Sequence, residues 1–216
     1  LKLAKNKVIP YLPKVGTPAK GFFCRFYMRE VSLHYISDEY INYLTRIDNK
    51  VKDNKHETRP YLVLRVTIND LEYYVPFSSP KFSEDGKFKK PNIYRKLFKV
   101  LKRENQNELE YLGSLSFANM ITAPLSEVIY IDLSEMFAVD EQYAVLLTKQ
   151  IDIVKNELDE IEKTAKAVHE MYTSIKNKEA NNPQELTDLE KYILHCCCNF
   201  LNIERACRQF QTNLPM

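Results

Sequence analysis

PYLVLRVTINDLEYYVPFSSPK, Pro60 through Lys81, is the stretch on which the fold turns. Two runs rich in Val, Leu, Ile, Tyr and Phe flank Asn69-Asp70, a two-residue turn signal. The pattern predicts a hairpin, with Pro60 opening a strand over Tyr61 to Ile68 and a return strand over Leu71 to Phe77. Its exit is polar and rigid: Ser78-Ser79-Pro80-Lys81. A loop with Pro80, Gly86 and Pro91 follows, over residues 78–91.

Outward from the hairpin, strands come first and helices later, an α+β order. Glu30 to Ile36 suits a short strand. Ser37 can cap a helix from Asp38 to about Asp48, with acids in its first turn. Tyr94 to Leu101 fits helix and strand periods equally. Leu109–Phe117 and Glu127–Leu133 read as strands, and Pro124 between them marks an interruption or an edge. Further on, Leu147, Ile151, Val154, Leu158, Ile161, Ala165, Val168, Tyr172 and Ile175 recur at alternating spacings of 4 and 3, an apolar seam down one long helix. The seam can serve a coiled-coil dimer, or pack on the chain's own last helices, which is the plainer reading. Asn181-Asn182-Pro183 breaks it. Thr187 with Glu190 forms a capping box for a final helix running past the cysteines toward Gln209.

Composition excludes several function classes. Four glycines, Gly16, Gly21, Gly86 and Gly113, are too few and too scattered for a dinucleotide-binding or Walker loop. No apolar run is long enough for a transmembrane helix. Cys24, Cys196, Cys197, Cys198 and Cys207 are odd in number and three are adjacent, which fits neither a disulfide framework nor a tetrahedral metal site and suits reduced residues of a cytoplasmic protein. His34, His56, His169 and His195 show no metal spacing, so neither metal nor cofactor is expected.

The net charge of +2 hides an asymmetry. Residues 1–27 hold six basic residues and no acid, residues 28–106 hold 16 basic and 11 acidic, and residues 107–216 hold 9 basic and 18 acidic. Residues 1–27 also carry three prolines and half the glycines, and the chain begins at Leu. That break predicts Met28 as the natural start, with residues 1–27 a non-native or disordered extension. Residues 28–216 would then form one domain, a sheet core to about 135 and a helical region from about 138 to 211.

Two places can carry chemistry. Leaving a strand, alternate side chains face opposite ways, so Ser79 and Lys81 can share one side. A phosphate there would accept hydrogen bonds from the Ser hydroxyls and pair with the Lys ammonium. An ordinary turn is the plainer reading of so short a motif. From it runs the densest basic stretch, Lys81, Lys87, Lys89, Lys90, Arg95, Lys96, Lys99, Lys102 and Arg103, interleaved with Phe82, Phe88, Tyr94 and Phe98. Cations track a phosphate backbone and aromatic faces stack on unpaired bases, although a solvated loop gives the same pattern. No histidine pair stands at a spacing that suggests acid–base catalysis.

The motifs resemble, in order, those of the ToxN/AbiQ toxins of type III toxin–antitoxin systems. Tyr35-Ile36-Ser37-Asp38-Glu39-Tyr40-Ile41-Asn42-Tyr43-Leu44 with Asp48 and Val51 resembles that family's opening; Arg59-Pro60-Tyr61 and Tyr73 to Lys81 resemble its next block. Leu112-Gly113 through Asn119-Met120-Ile121 resembles an L-G-x-[IL] strand followed by N-x-M-I-P, with Thr122-Ala123 inserted before Pro124. Cys198-Asn199-Phe200 with Glu204 resembles its C-terminal segment.

The resemblance implies a strongly twisted antiparallel sheet with surrounding helices. It implies a metal-independent endoribonuclease that cuts by attack of the 2′-hydroxyl, leaving a 2′,3′-cyclic phosphate. The partner implied is a small repetitive RNA antitoxin, processed by the toxin and bound in a closed protein–RNA assembly, and the role is phage defence by abortive infection. Substrates would be cellular or phage RNA, with neither DNA nor membrane involved. Ser79 and Lys81 match the family's active-site Ser and Lys, Ser78 the neighbouring hydroxyl, Tyr40 and Tyr143 groove tyrosines, and Arg59 a position often held by Lys. On this reading Lys81 or Tyr40 takes the 2′-proton while Ser79 and Arg59 hold the phosphoryl oxygens. Lys87, Lys89, Lys90, Arg95, Lys96 and Lys99, with Tyr143, would bind RNA. The competing readings are a non-catalytic RNA-binding protein using the same groove, and a helical interaction protein using the seam.

Overall fold

The computed structural model describes residues 31, 33–52, 62–68, 71–105 and 108–212. Contacts divide the chain into the units Leu1–Glu30 and Val31–Met216, and the account below concerns the second. The proposed start at Met28, the turn Asn69-Asp70 and Arg59 lie outside the described residues.

Seven strands form one curled antiparallel sheet among the described residues. They are β1 Leu33–Ile36, β2 Leu62–Ile68, β3 Leu71–Ser78, β4 Phe98–Asn105, β5 Glu108–Ser116, β6 Ile121–Thr122 and β7 Val128–Tyr130. The order is β4-β5-β3-β2-β1-β7, with β6 also on β3. The expected hairpin is its centre, β2 and β3 pairing from Val63–Pro76 to Ile68–Leu71. On its other edge β3 changes partner: Tyr73 and Tyr74 pair with β6, and Phe77 and Ser78 with β5. Pro76, which has no N–H to give a ladder, stands at that switch.

Among the described residues six helices accompany the sheet: α1 Asp38–Ile47, α2 Leu133–Val139, α3 Glu141–Asn156, α4 Leu158–Asn181, α5 Asp188–Cys196 and α6 Phe200–Thr212. Ser37 caps α1, accepting from the Tyr40 N–H at 3.1 Å, and the Thr187–Glu190 capping box starts α5. The ambiguous stretch resolves into one 3₁₀ turn, Arg95–Leu97, and then β4. Of the strand expected over residues 127–133 only Val128–Tyr130 forms, because Asp132 caps α2 at Leu133.

The apolar seam is buried within the chain, at Leu147, Ile151, Val154, Ile161, Ala165, Val168, Tyr172 and Ile175. The expected single helix is nevertheless two. Glu157 leaves helical geometry at φ −119° and ψ 16°, and Lys99 of β4 holds Glu157 at 2.8 Å and Glu160 at 3.0 Å. The 4-3 spacing passes through this break in phase, so periodicity does not reveal it. The last helix is likewise divided. Cys198 N–H donates to the Ala118 carbonyl at 2.8 Å and Asn199 N–H to the Asp48 carboxylate at 2.5 Å; those bonds take Cys197–Asn199 out of the helix.

One polar group crosses the core. Glu204 of α6 accepts from the Tyr73 hydroxyl of β3 and meets His169 Nε2 of α4 at 2.9 Å. His169 stacks on Phe200 with centroids 5.6 Å apart. The His169 hydrogen bond is the leading cause that holds the Glu204 carboxyl below the ordinary range, so its ionised form adds stability above the unfolded carboxyl's pKa and loses it as pH falls. Glu204→Gln should lower unfolding free energy by about 1.5–3 kcal/mol at pH 7. The deficit should shrink toward pH 3, as read by urea unfolding at both values; an equal deficit at both would contradict the assignment.

Candidate active site

The exit of β3 is fixed by a close approach of two backbones. Ser78 pairs with Ser114 of β5, and beside it Gly113 adopts φ +119°, where a Cβ would lie 2.1 Å from the Ser78 carbonyl oxygen. Only glycine lets the strands meet so closely. Gln150 of α3 donates from Nε2 to the Leu112 carbonyl at 2.5 Å, tying the helix to the same point.

Beyond Ser78 the chain does not wander. Lys89 N–H donates to the Lys81 carbonyl and Ser83 N–H to the Lys87 carbonyl, both at 2.8 Å, and Phe82 pairs with Phe88 in a small ribbon. Phe88 stacks on Tyr111 of β5, centroids 4.1 Å apart and planes 3° from parallel. The ribbon is thus held on the sheet, with Ser79, Lys81, Lys89 and Lys90 exposed.

A second segment reaches this exit from the end of α1. Lys52 Nζ donates to Ser78 Oγ at 3.3 Å. The residues before it are knotted to the C-terminal helices. Asp48 accepts from Lys50 N–H at 2.9 Å and from Asn199 N–H at 2.5 Å. The Lys50 ammonium donates to the carbonyls of Leu194 at 2.8 Å and Cys197 at 2.9 Å, satisfying the end of α5. Asn119 holds the Lys50 carbonyl at 3.0 Å and accepts from Ser116 Oγ at 2.8 Å. Burial pushes the thiols of Cys197 and Cys198 up to about 12, which leaves both as packed, protonated groups.

A family model described as toxin ToxN of type III toxin–antitoxin systems matches residues 32–208. The chain belongs to the ToxN family. Endoribonuclease ToxN of Bacillus thuringiensis subsp. kurstaki is 32% identical over 180 residues, 82% of this chain and 83% of that protein. A solved type III toxin, from work on selective toxin inhibition by a non-coding RNA pseudoknot, superposes with a TM-score of 0.66 at 28% identity, covering 84% of this chain and 98% of that one. AbiQ, a lactococcal anti-phage endoribonuclease of the type III class, shares the fold with a TM-score of 0.60 at 21% identity, over 85% and 99% of the two chains.

Within this family fold the residues singled out from sequence separate. Ser78, Ser79 and Lys81 share the β3 exit. Tyr143, whose N–H donates to the cap Asp140 at 3.0 Å, packs half-buried on the cluster of Leu33, Ile131, Leu147 and Ile151 that Phe77 also touches, one residue before Ser78. Tyr40 does not reach a groove. It is 0% exposed, its hydroxyl donates to the Thr122 carbonyl at 3.0 Å, and burial drives its phenol pKa far above the usual range, so it is a core residue and no base. Of the basic stretch, Lys99 is taken by Glu157 and Glu160, whose hydrogen bonds raise its pKa against the opposing burial; Lys87 pairs with Asp85 at 2.7 Å, and Arg103 with Glu110 at 2.8 Å. Arg95 and Lys96 stay exposed on the 3₁₀ turn. Lys52 is the residue at this exit that sequence reasoning passed over. Its one signal was its place right after the Asp48–Val51 motif.

Gly113→Ala should cost at least ~2–3 kcal/mol, because a strained φ and a collision with Ser78 add. Gly86→Ala, at φ +76° with nothing within 4 Å, should cost only the backbone penalty. Melting temperatures of the two variants check this, and equal shifts would contradict the close approach.

Proposed function

We propose that the protein is an endoribonuclease toxin that cuts single-stranded RNA at the β3 exit without a metal ion and is held inactive by a small repetitive RNA. The observation that carries the reading is the built exit itself: two serine hydroxyls and the Lys81 ammonium, set on a strand end that Gly113 and the ribbon hold in place. Membership of the ToxN family supports it, as do the activities named for the Bacillus and lactococcal relatives.

The chemistry suits these groups. The 2′-oxygen of the nucleotide 5′ to the cut attacks phosphorus, the bond to the 5′-oxygen breaks, and a 2′,3′-cyclic phosphate and a 5′-hydroxyl remain. The 2′-proton must leave and the 5′-oxygen must gain one, so the reaction is balanced without water. Ser79 donates to a phosphoryl oxygen as charge develops there. Lys81 in its neutral form accepts the 2′-proton beside the same phosphate, and the ammonium it becomes faces the phosphoryl oxygens and returns a proton to the departing 5′-oxygen. With Tyr40 in the core, Lys81 is the acceptor that remains of the two sequence candidates. Lys89, Lys90, Arg95 and Lys96 track the phosphates on either side, and Tyr143 borders the exit through the Phe77 cluster. Phage defence by abortive infection and a closed assembly with the RNA antitoxin follow from the same family reading.

Ser79→Ala and Lys81→Ala should each slow RNA cleavage about 100-fold or more while leaving the fold intact by circular dichroism. Sequenced RNA ends should carry cyclic phosphates in the wild type. Near-normal cutting by both variants would move the site elsewhere. RNA binding without any new ends would favour the non-catalytic reading instead.

A further inference from the structure

Lys52 and Lys81 converge on one short strand exit, and no acid faces Lys52 there among its ion pairs in the described residues. A fold ordinarily separates two ammonium groups or places a carboxylate between them. Here the first is held 3.3 Å from Ser78 Oγ, while the second lies three residues beyond Ser78. The segment that brings Lys52 is not a loose loop. Asp48, Lys50 and Asn119 fasten it to α5, to the start of α6 and to the turn after β5 by side-chain hydrogen bonds.

We infer that Lys52 is a phosphate-contacting residue of this site: its ammonium, aligned by Ser78, binds a phosphoryl oxygen of the scissile phosphodiester opposite Lys81. The inference rests on the endoribonuclease reading and adds to it a residue from outside the S-S-P-K segment. A phosphodiester fits where no carboxylate of the described residues pairs with Lys52. It brings one negative charge in the ground state, which the Lys52 ammonium meets, and a second as the five-coordinate phosphorus forms, which Lys81 meets once it has taken the 2′-proton. The electrostatics agree. The Lys52 side chain reaches solvent, yet crowding of its ammonium by protein and then the neighbouring Lys81 charge hold it below the usual lysine range. An anion bound between the two would reverse that effect. Ser78, whose oxygen receives Lys52, becomes an aligning hydroxyl, while Ser79 is left free for the substrate.

The test compares wild type, Lys52→Gln, Lys52→Arg and, as a control on α4, Lys166→Ala. Each is titrated with a 2′-deoxy-substituted, uncleavable RNA oligonucleotide at several salt concentrations, and each is assayed for cleavage of the matching RNA. Lys52→Gln should weaken binding about tenfold and reduce the slope of log K against log salt by about 0.7, the share of one phosphate contact on a single strand. Its cleavage should fall a further 10-fold or more, since the contact strengthens as charge builds. Lys52→Arg should keep the salt slope, and Lys166→Ala should change nothing. A merely structural lysine would shift the melting temperature and leave the slope alone. An unchanged slope in Lys52→Gln, with wild type binding and cutting, overturns the inference and leaves the endoribonuclease reading standing. A wild type that neither binds nor cuts overturns the reading itself and the inference with it. Should Lys52→Gln fail to fold, Lys52→Arg decides: loss of the slope in a folded, charge-keeping variant would also overturn it.

Discussion

The carbonyl oxygen of Ser78 occupies the space that a β-carbon on residue 113 would need. Much of the site depends on this single contact. Because Gly113 gives way, β5 can lie against the last residues of β3 just where β3 has finished pairing with β6. The change of partner is what lets Pro76 sit within a central strand. It also ends β3 at a definite residue, so that Ser79 and Lys81 leave the sheet at a defined place. The ribbon after them then needs only backbone hydrogen bonds and one stacked ring pair to stay ordered.

The second organising element is the polar knot at the end of α1. Asp48 and Lys50, Asn119, and Asn199 come from three stretches far apart in sequence, and together they satisfy backbone and side-chain groups where those stretches meet. The knot has two consequences. It divides the C-terminal helix at Cys197–Asn199, and it delivers Lys52 to Ser78. The three adjacent cysteines, conspicuous in the sequence, are packing residues beside it, their thiols kept protonated by burial.

Charge in the basic stretch does two jobs that composition does not separate. Lys99 fixes the break between α3 and α4, Arg103 and Lys149 share Glu110, and Lys87 closes the ribbon on Asp85. These cations are already spent on the fold. Lys81, Lys89, Lys90, Arg95 and Lys96 are exposed and keep charge to offer a polyanion. On the proposed reading, a run of nine basic residues overstates the charge offered to RNA, and Lys52, outside the run, adds to it.

Read alone, the residues determined the central hairpin, the Ser37 and Thr187 caps, the burial of the seam and the S-S-P-K exit. All of these are local: a turn dipeptide, a capping side chain or a repeat of 3 and 4 acts within a few residues of itself. The tertiary structure decided what depends on distant partners. Glu157 breaks a helix whose spacing is unbroken, because Lys99 waits on β4. Tyr40 matches a groove tyrosine by motif, yet Thr122, 82 positions away, accepts its hydroxyl inside the core. Lys52 carries no motif, and its place beside Ser78 comes from hydrogen bonds that tie the residues before it to the turn after β5 and to the C-terminal helices. Periodicity and motif record which face of an element is apolar; which polar group meets which is set by the packing of segments that the sequence holds far apart.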